Sequence, residues 1–248
     1  MIILKTPDEI ARMRRAGALV GRVLEVLRES VRPGVSTGWL DRLAENTIRE
    51  GSGVPSFKGY RGFPASICAS VNDEIIHGIP GGRILVEGDI VSVDVGAIVD
   101  GYHGDAAVTL GVGAVAPEAE RLMQVTSESL DAGIANARPG RRLGDIGSAV
   151  QAFVEANGFS VVRDFVGHGI GRKMHEEPQI PNFGRPGEGI RLRAGMVLAI
   201  EPMVNAGGHE VRILGDGWTA CTLDGLLSAH FEHTVAVTED GPEVLTLP

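Results

Sequence analysis

Hydrophobic and polar residues alternate along two neighbouring stretches of the first half of the chain. The stretches are residues 90–98 (Ile-Val-Ser-Val-Asp-Val-Gly-Ala-Ile) and 102–110 (Tyr-His-Gly-Asp-Ala-Ala-Val-Thr-Leu). Such a period of two in β-branched sequence predicts strands, and Asp100-Gly101 between them is a strong hairpin signal. If Asp100 and Gly101 form the loop, Asp105 faces Gly96 and lies diagonal to Asp94. Both carboxylates then point to the same face of the sheet.

The opposite face of this predicted hairpin is apolar, with Val93 and Val95 against Ala106. Burying an unpaired polar group beside such a core costs about 2 to 7 kcal/mol. A buried carboxylate without a partner therefore has a raised pKa, because burial disfavours its charged form. Diagonal partners have Cα atoms about 7 to 8 Å apart, a gap that bound cations can close. From the hairpin alone, two interpretations remain open: a metal site, or Asp94 capping a turn with Asp105 in solvent.

Four helices are predicted, in two similar pairs. The first opens with a capping box at Thr6-Pro7-Asp8-Glu9, with Pro at the first helical position. Gly51 and Gly158 are expected to end the second helix of each pair as C′ glycines. The expected spans are Thr6 to the Arg32-Pro33-Gly34 break, 37–50, Ala116 to the Arg138-Pro139-Gly140 break, and 145–157.

The strand motifs also occur twice, in the same order. Three pairs match: Leu85-x-x-Gly88-x-Ile90-Val91-x-Val93-Asp94 with Leu192-x-x-Gly195-x-Val197-Leu198-x-Ile200-Glu201, His103-Gly104-Asp105 with His230-Phe231-Glu232, and His77-Gly78-Ile79 with His168-Gly169-Ile170. Repeated motifs in register are typical of a duplicated unit. We therefore predict one domain of two α/β halves, about 1–113 and 114–248. Pseudo-twofold symmetry would bring the acidic strands together.

The repeat predicts a single dinuclear metal site, made by Asp94, Asp105, Glu201 and Glu232 with one histidine, either His168 or its counterpart His77. Four carboxylates balance two divalent ions in formal charge. Oxygen ligands with one imidazole suit Mn, Fe, Co or Zn in an open geometry. Two such ions can hold a bridging hydroxide and polarise a carbonyl, which indicates a hydrolase.

Composition excludes several other classes of protein. The chain has 248 residues, 43% of them hydrophobic, and a net charge of −9 without a basic cluster, which argues against direct nucleic-acid binding. No apolar run is long enough to span a membrane, and Cys68 and Cys221 form no zinc motif. His175-Glu176-Glu177-Pro178 is not a zinc-binding HExxH helix, and there is no phosphate loop or serine elbow. We expect a soluble cytoplasmic protein.

The motifs together resemble methionine aminopeptidase, type I, in its short bacterial-like form. They lie in order between about residues 55 and 238: Ile76-His77-Gly78-Ile79-Pro80, Val93-Asp94-Val95-Gly96, His103-Gly104-Asp105, Gly167-His168-Gly169-Ile170-Gly171, Met174-His175-Glu176-Glu177-Pro178, Ile200-Glu201-Pro202 and Phe231-Glu232-His233-Thr234. The resemblance implies an α+β pita-bread (creatinase/aminopeptidase) fold with an antiparallel sheet covered by helices. It also implies a monomer that removes the initiator methionine from nascent polypeptides with a small second residue, with the ribosome as a further partner.

The resemblance further implies a role for each ligand. Asp94 would hold one metal, His168 and Glu201 the other, and Asp105 and Glu232 would bridge both. Glu201 would shuttle the proton of the attacking hydroxide, which is metal-bridging in this family. His77 and His175 would be the other catalytic residues, contacting the substrate. The repeat alone does not decide whether His77 or His168 binds metal.

A methionine pocket is implied as well, and its composition suits a thioether ligand. Its lining residues would be Phe57, Tyr60, Phe63, Cys68, Met174 and Trp218. Asn72 and Ser228 match positions that bind a monovalent cation. Phe57 and Phe63 depart from the usual residues and would alter the pocket's entrance and polarity, and His230 would either tune the metal site or face the core.

Two alternatives are a proline-specific peptidase of the same fold, such as aminopeptidase P or prolidase, and a non-catalytic pita-bread protein that only binds partners. The first carries an additional N-terminal domain, for which this chain has no room. The second loses metal ligands, whereas all five are present here. Methionine removal is therefore the preferred interpretation.

Overall fold

The computed structural model describes residues 1–248, which form four helices and fifteen strands. The helices are α1 Pro7–Ser30, α2 Thr37–Glu50, α3 Pro117–Ile134 and α4 Leu143–Ala156. The strands are β1 Val54–Pro55, β2 Ile67–Val71, β3 Glu74–Ile76, β4 Ile90–Val99, β5 Tyr102–Gly111, β6 Ser160–Val161, β7 Gly167–Gly169, β8 Glu176–Ile180, β9 Val197–Ile200, β10 Met203–Asn205, β11 Val211–Ile213, β12 Ala220–Thr222, β13 Ser228–His230, β14 Glu232–Thr238 and β15 Gly241–Val244. None of the helices is long and apolar enough to cross a lipid bilayer.

The predicted hairpin is confirmed as β4 and β5, in the expected register. Gly96 pairs with Asp105, and Asp94 pairs with Ala107. Asp100 and Gly101 both have positive φ, 51° and 77°, as a two-residue hairpin loop of the favoured hand requires. Asp94 and Asp105 therefore lie diagonally on one face of the sheet.

One nine-stranded sheet organises the site. Its main path runs β1-β4-β5-β14-β9-β7-β8, with β2 beside β4 and β15 beside β14, and every pairing is antiparallel. The central β5–β14 pairing joins strands from the two predicted halves. Two small sheets, β13-β10-β6 and β11-β12-β3, complete the fold.

The helices cover the sheet and bury its apolar face. In the largest core cluster, Leu27 and Leu40 from α1 and α2 pack with Val93, Val95 and other residues of β2, β4 and β5. Further clusters join α3 and α4 to β9 and β14. Each fully buried aliphatic side chain contributes about 1.5 to 3 kcal/mol, so this layer is the main source of stability for the strands that carry the site.

The helix termini agree with the predicted signals, with small corrections at the ends. The capping box at Thr6 and Glu9 is present, and α2 has the predicted bounds. The helices α1 and α3 end a few residues before the predicted Pro-Gly breaks, consistent with the restriction that proline places on the preceding residue.

Gly51 does not act as the predicted left-handed C′ glycine. Its φ is −76°, and the left-handed residue is Ser52 with φ 60°. A Cβ on Gly51 would overlap the Leu19 side chain of α1, so close helix packing explains this glycine. Gly158 does take the predicted conformation, with φ +81°.

Several local features recur between residues 1–113 and 114–248. Gly88 and Gly195, which precede β4 and β9, both have φ +91°. Gly78 and Gly169 follow the matched histidines, and a Cβ on either would overlap a backbone carbonyl oxygen of a neighbouring segment. The connections differ, because two residues join β4 to β5 whereas residues 201–231 separate β9 from β14.

Candidate metal centre

The sheet places all four predicted carboxylates on one face. Asp94 and Glu232 both pair with Ala107, from opposite sides, so they lie in one row across β4, β5 and β14. Asp105 is two residues before Ala107 and points the same way. Glu201 directly follows β9, which pairs with β14.

Thr234 fixes the central strand pair at this point. Its hydroxyl donates to the Asp105 carbonyl oxygen at 2.8 Å and accepts from the Asp105 N–H at 3.0 Å. Asn182 similarly donates to the Glu201 carbonyl oxygen at 2.9 Å. Main-chain positions of the acidic residues are thus held by buried hydrogen bonds, which leaves their carboxylates free to bind other groups.

His168 lies on β7 and faces the carboxylates. Its Nε2 is 3.6 Å from Glu201 Oε1 and 3.9 Å from Asp105 Oδ2. Its Nδ1 is 2.9 Å from the Gly169 carbonyl oxygen, which can only accept a hydrogen bond. The proton of neutral His168 therefore lies on Nδ1, and the Nε2 lone pair points towards the carboxylates. A cation between these atoms would turn this repulsive arrangement into a favourable one.

Burial opposes charge on every member of the cluster. It raises the pKa of Asp94 to about 7. Burial and the neighbouring acidic charges raise the pKa of Asp105, Glu201 and Glu232 well above their ordinary values. Burial lowers the pKa of His168 to about 3. With the imidazole neutral at pH 7, the protein provides no positive charge of its own to balance the carboxylates in this cluster.

The hydrogen-bond pattern shows that the cluster fits divalent metal. Asp94 Oδ1, Asp105 Oδ1 and Glu232 Oε1 are buried and have no hydrogen-bond partner in the chain. Such atoms are costly unless another group compensates them. Ligand atoms of Asp105, His168 and Glu232 lie within 4.8 Å of one another, a spacing that one ion can bridge. Oxygen atoms with one imidazole nitrogen are the donors that Mn, Fe, Co and Zn share.

The two predicted substrate-contacting histidines lie at the edge of the cluster. His77 has a positive φ of 60°, and its ring meets the Phe165 ring edge-on, with centroids 5.7 Å apart. The His175 ring lies 4.2 Å from that of His168 and 5.3 Å from that of Tyr60. Burial lowers the pKa of His77 to about 4, and burial and a nearby cation also lower the pKa of His175.

One cavity brings the metal cluster and the predicted methionine pocket together. All six predicted pocket residues line it: Phe57, Tyr60, Phe63, Cys68, Met174 and Trp218. The Phe63 and Trp218 rings pack edge-on with centroids 5.1 Å apart. The same cavity is also lined by the five predicted metal ligands, Asp94, Asp105, His168, Glu201 and Glu232. An apolar chamber therefore adjoins a carboxylate cluster.

Sequence reasoning missed four other residues that line the cavity. They are Arg61, Ile76, Phe165 and Val166. The available signal for Ile76 and Phe165 was their closeness to the matched histidine motifs, since Ile76 directly precedes His77 and Phe165 lies three residues before His168. Arg61 had no such signal.

His230 faces the metal cluster and not the core. Its Nε2 is buried, has no hydrogen-bond partner and lies 3.8 Å from Glu201 Oε2. Ligand atoms of Glu201, His230 and Glu232 lie within 4.8 Å of one another. The position of His230 two residues before Glu232 was the available signal, because alternate residues of an extended chain share a face.

Asn72 and Ser228, the predicted monovalent-cation pair, are neighbours in the fold. The Ser228 N–H donates to the Asn72 carbonyl oxygen at 2.9 Å. The Asn72 side-chain amide donates to Asp89 Oδ1 at 2.8 Å, and its Oδ1 accepts from the Ile90 N–H at 3.0 Å. The cation assignment itself stays a prediction.

Comparisons with known proteins agree on one family. A family model described as metallopeptidase family M24 matches residues 11–239. The methionine aminopeptidase of Clostridium perfringens is 59% identical over 247 residues, covering 100% of this chain and 99% of that protein. Methionine aminopeptidase 1 of Bacillus subtilis is 54% identical, with 99% of each chain covered. The crystal structure of methionine aminopeptidase from Rickettsia prowazekii matches with a TM-score of 0.98 at 46% identity, and both chains are covered completely.

A more distant likeness extends to proline-handling enzymes. The prolidase from Pyrococcus furiosus has a TM-score of 0.78 at 21% identity, with 99% of this chain but 66% of the prolidase covered. At that identity the likeness concerns the fold alone. The expected pita-bread fold class is confirmed by these neighbours, together with the helix-covered antiparallel sheet.

Proposed function

This chain belongs to metallopeptidase family M24 and, within it, to the methionine aminopeptidases, and from that premise we propose that it removes the N-terminal methionine from nascent polypeptides. The observation that carries the proposal is the junction of three buried carboxylates, the half-buried Asp94 and His168 with an apolar, sulfur-containing chamber in one cavity. The cluster supplies a hydrolytic centre, and the chamber accepts an apolar N-terminal side chain.

In this proposal Asp94 would hold one divalent ion, His168 and Glu201 would hold the other, and Asp105 and Glu232 would contribute to both. When bound, such ions polarise a carbonyl and make water nucleophilic near neutral pH. Two ions, each Mn, Fe, Co or Zn, would offset the four acidic charges. The unpartnered carboxylate oxygens and the Nε2 lone pair of His168 support this assignment.

Glu201 is the proposed proton carrier. It would accept the proton of the attacking water and pass it to the departing amine, because it lies at the junction of the ligand cluster and the cavity. A carboxylate in this role contributes about 100-fold to 10,000-fold to turnover.

His77 and His175 are proposed to orient the scissile amide. Both are neutral near pH 7, because burial lowers the pKa of each. The Tyr60 hydroxyl and His175 Nδ1 share a hydrogen bond of 2.8 Å, and in the tautomer in which the hydroxyl donates it, the proton of His175 lies on Nε2 and is available to the substrate. Donated hydrogen bonds of this kind stabilise the oxygen that becomes negative in the tetrahedral intermediate.

The chamber formed by Phe57, Tyr60, Phe63, Cys68, Met174 and Trp218 is proposed to bind the methionine side chain. Thioethers pack favourably on aromatic rings, and Cys68 and Met174 add polarisable sulfur. We further propose that the substrate has a small second residue and that the protein acts as a monomer in the cytoplasm and contacts the ribosome. A monovalent cation is proposed to bind near Asn72 and Ser228.

The test is to strip the protein of metal and restore Mn²⁺, Fe²⁺, Co²⁺ or Zn²⁺ separately. Each form is then assayed with Met-Ala-Ser, Leu-Ala-Ser and Ala-Pro peptides. We expect metal-dependent release of methionine, with much slower release of leucine. Absence of methionine release with every ion would refute the proposal, and preference for Ala-Pro would assign the chain to proline-specific hydrolysis.

A further inference from the structure

Arg61 lies in an unusual loop at the cavity. The loop joins β1 to β2 and contains a single 3₁₀ turn, Tyr60–Gly62. Arg61 has a left-handed backbone with φ 50°, between Gly59 at φ +86° and Gly62 at φ +90°. Left-handed backbone is unfavourable for a residue with a side chain, and it persists where the surrounding structure holds it. The loop therefore holds the backbone of Arg61, and with it the point from which its side chain leaves the chain, in a defined conformation.

Arg61 is the only lysine or arginine that lines the cavity. The residue is exposed, and its guanidinium lies 5.5 Å from the centre of the Tyr60 ring. It makes no hydrogen bond or ion pair within the chain. Lys58, three residues earlier in the same loop, instead binds Glu45 Oε2 at 2.7 Å. The charge of Arg61 is thus available to a ligand.

The charge of Arg61 acts on the side of the cavity where a substrate would leave. The Tyr60 hydroxyl contacts His175, and the positive charge of Arg61 contributes to lowering the His175 pKa. With the methionine side chain in the apolar chamber, as the proposed function requires, the peptide beyond the scissile bond would leave the cavity past its exposed lining residues, which include Arg61 and His175. Because the second residue is small in the proposed substrates, the third residue is the first one beyond the bond whose side chain can carry a charge. The chain as a whole has a net charge of −9, which disfavours acidic ligands elsewhere on its surface.

We propose that Arg61 is a specificity-determining residue that favours substrates with an acidic side chain at the third position. This inference rests on the proposed methionine aminopeptidase function. It adds a preference on the leaving-group side that is electrostatic and independent of the methionine chamber. Because the contact is exposed to solvent, it acts mainly on KM and weakens as the salt concentration rises.

The experiment compares three peptide amides, Met-Ala-Asp-Gly, Met-Ala-Asn-Gly and Met-Ala-Lys-Gly, on the metal-loaded enzyme. The amide removes the C-terminal carboxylate, which would otherwise add a negative charge near Arg61. We expect kcat/KM for the Asp peptide to exceed that for the Lys peptide about fivefold, with the Asn peptide between them, as an exposed charge contact allows. In about 0.5 M salt the ratio should approach one.

Three variants separate the contribution of Arg61 from general charge effects. Arg61→Gln should bring the Asp-to-Lys ratio close to one, and Arg61→Glu should invert it. Arg61→Lys keeps the charge and should keep most of the ratio, which also tests whether the loop tolerates substitution. Lys58→Gln is the matched control: it removes the same charge from the same loop, but from a side chain already paired with Glu45, so the ratio should persist.

The outcomes distinguish this inference from the function on which it rests. An unchanged ratio in Arg61→Gln, or a wild-type ratio of one at low salt, would overturn the role of Arg61 while methionine release still supported the proposed function. Failure of the wild-type enzyme to release methionine from all three peptides would refute both.

Discussion

His77 and His168 begin the same three-residue motif in the two halves of the chain but occupy different environments. His168 lies within β7 of the main sheet, and its Nε2 reaches Glu201 and Asp105. His77 follows β3 of a small sheet with φ 60°, and its ring meets the edges of Phe165 and Trp218. The glycine after each histidine has the same close backbone contact. The close backbone packing at the glycine is therefore shared, whereas the surroundings of the two histidine side chains differ.

The connections between the acidic strands differ in the same way. Asp100-Gly101 closes the first pair tightly, whereas residues 201–231 form a long excursion in the second half. That excursion contains Trp218, which lines the apolar chamber and packs edge-on against Phe63. The carboxylates thus occupy equivalent positions in the two halves, whereas the substrate chamber includes a residue from a segment in which the halves differ. This comparison predicts which substitutions should have equal effects in the two halves and which should not.

The largest expected difference lies between the equivalent carboxylates Asp94 and Glu201. Glu201→Gln should lower kcat more than about 100-fold, since it removes the proposed proton carrier. Asp94→Asn should act mainly by weakening metal binding. Turnover should be measured together with metal content by elemental analysis, with Glu210→Gln, an exposed carboxylate, as the control. Near-normal turnover of fully metal-loaded Glu201→Gln would exclude its role.

Gly78 and Gly169 should be equally intolerant of substitution. Alanine at either position would overlap a backbone carbonyl, so each change should lower the free energy of unfolding by about 2 kcal/mol or more. Urea unfolding of the metal-depleted protein measures this. Gly82→Ala is the matched control, because a Cβ there meets nothing within 4 Å. If one site tolerated alanine as well as Gly82 does, the two histidine motifs would not share a scaffold.

A smaller effect concerns pH, to which carboxylates from both halves should respond alike. Their pKa values are raised by burial, to about 7 for Asp94. Several buried histidines have a lowered pKa, so histidines are largely neutral in the folded and unfolded states alike only above about pH 7.5. The folded metal-free protein then holds more carboxyl protons than the unfolded chain, so its stability falls as the pH rises.

Between about pH 7.5 and 8.5 the metal-depleted protein should lose unfolding free energy, by about 1.4 kcal/mol per pH unit for each extra carboxyl proton that the folded state holds. Divalent metal should abolish this loss, because the ions replace the protons. Urea unfolding at several pH values, with and without Mn²⁺, tests both statements. Constant or rising stability of the metal-free protein in this range would contradict the buried-carboxylate description.

Local patterns were sufficient to predict the hairpin and the placement of its two carboxylates. The period of two and the Asp100-Gly101 turn determine the register, and the register puts Asp94 and Asp105 on one face. The Thr6 capping box and the bounds of α2 follow equally from neighbouring residues. Each of these signals lies within a few residues of the feature it predicts.

Features that depend on distant contacts could not be predicted in this way. Gly51 faces Leu19 of another helix, so its role as a packing glycine is invisible in its own turn. The orientation of His77 depends on its positive φ and on Phe165, nearly ninety residues later in the chain. His230 approaches Glu201 only because β13 leads into β14 beside β9.

The central claim is that His168 binds metal and His77 does not. Calorimetric titration of Mn²⁺ into metal-depleted wild type, His77→Ala and His168→Ala tests it most directly, without depending on turnover. We predict that His77→Ala binds Mn²⁺ with near wild-type affinity, while His168→Ala loses more than about 100-fold for at least one ion, a loss at least as large as that from an outer-shell partner. Equal loss of Mn²⁺ affinity in the two variants, or wild-type affinity in His168→Ala, would contradict the account.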